Sequence, residues 1–126
     1  MKVIESDAEK FTRMEMHKYL LGLGIYPNTA CYQSLVECVW EAVNRSCIVG
    51  CISDIYESVA QKIKKTPSAV ERGLRCGIRK CINENRMDVI NDYFGYPVYS
   101  KKFALRNGEI ISLLASKINE DLGIKE

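Results

Sequence analysis

Thr66-Pro67-Ser68-Ala69-Val70-Glu71-Arg72-Gly73-Leu74-Arg75-Cys76-Gly77-Ile78-Arg79-Lys80-Cys81 combines the hydrophobic period of a helix with a row of arginines on its opposite side. On a helical wheel Val70, Leu74, Gly77, Ile78 and Cys81 fall within roughly 100° of one another, a stripe that must face a core. Centred about 150° away are Ser68, Arg72, Arg75 and Arg79, with Glu71 and Cys76 flanking them. Pro67 is a favoured first helical residue, and Ser68 to Glu71 has capping-box spacing, so either Thr66 or Ser68 opens a helix predicted over Pro67 to Glu84.

Upstream, Ile55, Val59 and Ile63 repeat every four residues, and Ser53 is a suitable cap for a helix over Asp54 to Lys64. Two helices joined by a turn of about three residues form a helix-turn-helix unit, here about 53–84, although the turn lacks the frequent glycine. The first turns of the second helix then enter the major groove, which puts residues 68–76 within reach of base edges. Arginine is suited to bidentate contact with guanine, so Arg72 and Arg75 are the expected base readers. Glu71 can accept from cytosine N4 or serve the helix cap, and Ser68 and Cys76 lie in the same zone. Lys62, Lys64, Lys65, Thr66 and Arg79 are placed for backbone phosphates.

The charge distribution agrees. The net charge is only +2, yet residues 60–81 hold seven Lys/Arg against one acidic residue, while residues 1–59 hold five against eight and residues 82–126 six against seven. A concentrated basic segment suits a phosphate-facing surface, and equally a solvated helix face.

The remaining periodicity is helical too: Thr12 to Leu23, stopped by Gly24 and Pro27; a helix capped by Asn28 or Thr29 running to about Asn44; Met87 to Phe94, stopped by Gly95; and Glu109 to Leu122, capped by Asn107. The expected fold is an all-α single compact bundle of about six helices of the winged-helix-like DNA-binding superfamily, without a clear wing. A polar lead-in (1–11) precedes one domain (12–126). Hydrophobic residues at 47% exclude disorder, and no apolar run is long enough for a signal peptide or a membrane span, so a cytoplasmic location is expected. The six cysteines are read as reduced, mostly buried thiols, with Cys76 a candidate redox-responsive exception. His17 is the lone histidine, Cys47 and Cys51 lack partners at zinc-site spacing, and no phosphate loop or nucleophile motif occurs. No enzyme activity, cofactor or metal is expected.

The run from Thr66 to Arg75 resembles the T-x-S-x-V-E-R-x-I-R recognition helix of the C-terminal effector domain of stage 0 sporulation protein A. Leu23-Gly24-Ile25-Tyr26-Pro27, Tyr32 and Phe94-Gly95-Tyr96 resemble further motifs of that family in the same order, so the similarity spans roughly Met16 to Leu122. The resemblance implies a six-helix regulator that binds tandem promoter boxes of sporulation genes, with base contacts at Glu71, Arg72 and Arg75. It implies an RNA polymerase sigma-subunit surface at Asn91, Phe94 and Val98, with Asn91 in place of the usual serine. Ala69 and Cys76 replace the family's arginine and histidine, which removes two polar contacts. Ala104-Leu105-Arg106-Asn107-Gly108-Glu109 keeps the cap of the family's lead into the last helix but loses its proline. The receiver domain normally found upstream has no counterpart in this sequence, and the expectation, for a standalone paralogue or an excised fragment alike, is DNA binding without phosphorylation. The alternative is a protein-interaction module that modulates a full-length regulator or the sigma subunit.

Overall fold

The computed structural model describes residues 7–45, 52–100, 102 and 105–125; Cys47, Cys51 and Ala104 lie outside them. Six helices occur in the order α1 (Asp7–Gly22), α2 (Ala30–Arg45), α3 (Ile52–Ile63), α4 (Pro67–Asn83), α5 (Val89–Phe94) and α6 (Asn107–Lys125). The described residues contain no strand, in agreement with the all-α expectation.

The central element is α2, which packs against α1, α3, α4 and α6. Its position explains its composition. Cys31, Leu35, Val36, Cys38, Val39 and Ala42 are all buried, as are the polar Ser34 and Glu37. A helix contacted on so many sides needs small or apolar groups around most of its circumference. Burial pushes the Cys31 and Cys38 thiols up to about 12 and the Cys81 thiol to about 11, so all three stay protonated at neutral pH. They act there as small apolar residues, and Cys81 Sγ also donates to the Leu23 carbonyl at 3.2 Å.

Buried Glu37 is stabilised by two cations. Arg13 Nη1 of α1 approaches Oε2 at 2.7 Å and Lys62 Nζ of α3 approaches Oε1 at 3.1 Å. Burial opposes ionisation of Glu37, but the hydrogen bonds from Arg13 and Lys62 outweigh it and hold the carboxyl below its ordinary range. Three helices are thereby joined at one carboxylate. At the other end of the bundle, Tyr93 Oη donates to the Tyr19 carbonyl at 2.8 Å, and Tyr19 Oη donates to Asp121 at 3.0 Å, which ties α1 to α5 and α6.

Several helix ends differ from the sequence reading, among them the start of α5 at Val89 in place of Met87 and the end of α6 at Lys125 in place of Leu122. The first helix begins at Asp7, not Thr12: the extra turn is polar, with Asp7 and Glu9 near the positive end of the helix dipole and Glu9 paired to Arg13 at 2.7 Å. The third begins at Ile52, ahead of the expected cap Ser53, and Ile52 is partly buried against the core. The last begins at Asn107 itself. Its cap is Arg106, whose backbone N–H donates to Glu109 Oε1 at 2.8 Å, half of a capping box.

Candidate nucleic-acid interface

The capping ambiguity of α4 is resolved in favour of Thr66. Its Oγ1 accepts from the Ala69 backbone N–H at 3.1 Å, its carbonyl accepts from Val70 at 3.1 Å, and Pro67 occupies the first turn. Ser68 is thus free of the cap, exposed at the helix start, and Glu71 has no capping role. Val70, Leu74, Ile78 and Cys81 are buried, as the wheel requires. Gly77 faces α2 so closely that a Cβ there would overlap the Cys31 side chain. This close approach fixes the rotation of α4 about its own axis, and with it the direction of the opposite face.

That opposite face carries Ser68, Arg72, Arg75, Cys76 and Arg79, all exposed. The structure therefore brings together four of the five expected base-contact residues. The fifth, Glu71, is half-buried and its carboxylate holds Arg75: Nη1 donates to Oε1 at 2.8 Å and to Oε2 at 2.9 Å. An i,i+4 pair of this kind restricts the arginine while leaving its other N–H donors available. Of the expected phosphate contacts, Lys64, Lys65, Thr66 and Arg79 are exposed around the turn and along the same helix. Lys62 is placed differently. Its ammonium lies between Glu37 at 3.1 Å and Glu41 at 3.6 Å, directed towards α2.

The turn owes its geometry to a strained residue. Lys64 adopts φ 60°, and the following Lys65 N–H donates to the Ala60 carbonyl at 2.8 Å, the 6→1 bond of a Schellman termination. Glycine normally takes this left-handed position, which explains how the turn forms without one and why lysine there costs energy.

Two contributions were invisible in the sequence. Asn107 Nδ2 of α6 donates to the Glu71 carbonyl at 3.1 Å, so the start of α6 is tied to the middle of the arginine face. Burial pushes the Tyr56 phenol up, opposed by a hydrogen bond with the same Asn107, so α3, α4 and α6 meet at this amide. A capping asparagine and a tethering one have the same local sequence, and only tertiary placement separates them.

The expected sigma-facing residues also gather, with different roles. Asn91 Oδ1 accepts from the backbone N–H groups of Val98 at 2.7 Å and Tyr99 at 2.9 Å, and Nδ2 donates to the Tyr99 carbonyl at 3.0 Å. Its amide is therefore committed to holding the segment after α5. Phe94 and Val98 are half-buried. Tyr96, 60% exposed and edge-on to Phe94 with centroids 6.2 Å apart, is the most accessible apolar group of this patch and is absent from the expected contacts.

A bundle that presents one capped, arginine-faced helix beside a lysine-bearing turn defines a basic helical domain of the nucleic-acid-binding class. Residues 16–118 match the family model described as sporulation initiation factor Spo0A C terminal, most of the chain. The chain belongs to that family, a DNA-binding regulatory domain of sporulation.

Proposed function

We propose that the chain is a sequence-specific duplex-DNA-binding transcription regulator in which α3 and α4 act as a helix-turn-helix and α4 enters the major groove. Arg72 and Arg75 read base edges, and Ser68 and Cys76 border them at the start and middle of the groove-facing surface. Glu71 contributes by fixing Arg75 at 2.8 Å, so that its guanidinium arrives with less side-chain freedom to lose. Lys64, Lys65, Thr66 and Arg79 contact phosphates and set the register, and Lys62 joins them only by leaving Glu37. The observation that carries this reading is the exposed row Ser68, Arg72, Arg75 and Arg79 on a helix whose rotation is fixed by Gly77 against Cys31.

The patch of Phe94, Tyr96 and Val98, held in place by Asn91, is the proposed surface for the RNA polymerase sigma subunit, and copies of the chain associate on tandem sites. No helix among the described residues is long and apolar enough to cross a membrane, and the site of action proposed is the cytoplasm. The test is selection of bound sequences from a random duplex pool by wild type and Arg75→Ala in parallel. A guanine-containing consensus that relaxes at one position in the variant supports the reading. An identical consensus from both proteins, or none from wild type, contradicts it.

A further inference from the structure

Between α4 and α6 lies an open groove of about 1150 Å³. Ile52, Ile78, Ile82, Val98, Leu105 and Leu113 line it with hydrocarbon, and Arg75, Arg79 and Arg106 bring cations to it. Glu71 and Glu109 line it as well: Glu71 holds Arg75, and Glu109 accepts from the Arg106 backbone N–H at 2.8 Å while keeping its charge. The guanidinium groups of Arg79 and Arg106 have no ion-pair partner among the described residues. Three arginines against two glutamates leave one positive charge beside an apolar floor. An apolar cleft with a few convergent polar groups is the usual form of a small-molecule site.

We propose that this groove binds an amphiphilic monocarboxylate of the fatty-acid class, and that its occupancy opposes DNA binding. The aliphatic chain lies along Ile78, Ile82 and Leu113, and the carboxylate pairs with Arg79 and Arg106. The charge balance favours a single-headed anion over an acidic peptide, which would bring several carboxylates to a site with one positive charge to spare. The consequence for regulation rests on the proposed DNA-contacting role of α4: Arg79 serves both ligands, so each ligand weakens the other by the same factor.

The probe is decanoate, kept below its micelle threshold and titrated into the ¹⁵N-labelled chain without DNA, with decanol, acetate and an acidic amphipathic peptide as parallel arms. Expected are saturable shifts at the amides of Ile78, Ile82, Gly108 and Leu113 with decanoate, much weaker ones with decanol and none with acetate. Arg106→Gln, which lies outside the proposed DNA contacts, weakens decanoate at least about fivefold and leaves DNA affinity unchanged in its absence. The absence of saturable shifts, equal binding of decanol, or tighter binding of the peptide at the same resonances overturns the assignment. In the second step decanoate raises the duplex Kd at least about fivefold. If the groove binds decanoate and the duplex Kd is unmoved, the regulatory coupling is overturned. If the chain binds no duplex at all, the DNA reading fails while the first titration still decides the groove.

Discussion

At the scale of single residues, the functional face is made by arginines whose surroundings differ. Arg75 is held by Glu71, whereas Arg72 and Arg79 extend without an ion-pair partner among the described residues. Replacing Arg75 by lysine keeps the charge but loses the planar fork that can hold Glu71 and a base together. Arg75→Lys is therefore expected to lose roughly 1–3 kcal/mol of discrimination against the wrong base while nonspecific affinity changes little; duplex titrations with single-base variants measure both. Glu37 is the matching structural residue. Its carboxyl is held below its ordinary value of about 4.5, so it contributes stability that is present above the unfolded-state pKa and lost as pH falls through the folded one. Glu37→Gln should cost about 1–3 kcal/mol at neutral pH, allowing for partial screening of Arg13 and Lys62. Thermal denaturation of the two proteins should converge as pH falls through the depressed folded-state pKa of Glu37.

Elements show why some structure was legible and some was not. The arginine helix could be located from Pro67, a cap at Thr66 or Ser68 and its apolar stripe, because these signals are local, and the structure selects Thr66. The first turn of α1 was missed because its residues are polar and carry no apolar period; its support comes from Glu9 with Arg13 and from helix-dipole charges. The turn before α4 hides a cost. Lys64→Gly relieves the left-handed backbone at φ 60° and should raise stability by roughly 0.5–1 kcal/mol in urea melts. The same change removes a proposed phosphate contact, so the slope of log affinity against log salt should shrink by about one. Gly77→Ala tests the contact of α4 with α2. Alanine's better helix propensity offers about 1 kcal/mol, but overlap with Cys31 costs roughly 1–3, and net destabilisation is expected.

Across the whole molecule, the core gathers around α2 and leaves one side of α4 to solvent. The sequence disclosed that side by period and charge. It did not disclose what holds the face in place: Asn107 reaching the Glu71 carbonyl from α6, Gly77 against Cys31, and Lys62 turned from the turn region to Glu37. Each of these joins residues far apart in the chain, and no local pattern reports such a partner. Asn107→Ala should accordingly lower duplex affinity without touching DNA, through a less firmly held α4. Its signature is a loss for matched and mismatched duplexes alike, together with faster amide exchange at the start of α6. The claim on which the rest depends is that specificity resides in the arginine face. Anisotropy titrations of the selected duplex and a scrambled one, by wild type, Arg72→Ala and Lys64→Ala, test it most directly. The prediction is that Arg72→Ala brings affinity for the selected duplex close to that for the scrambled one, while Lys64→Ala weakens both by the same factor. A selectivity ratio unchanged in Arg72→Ala would contradict it.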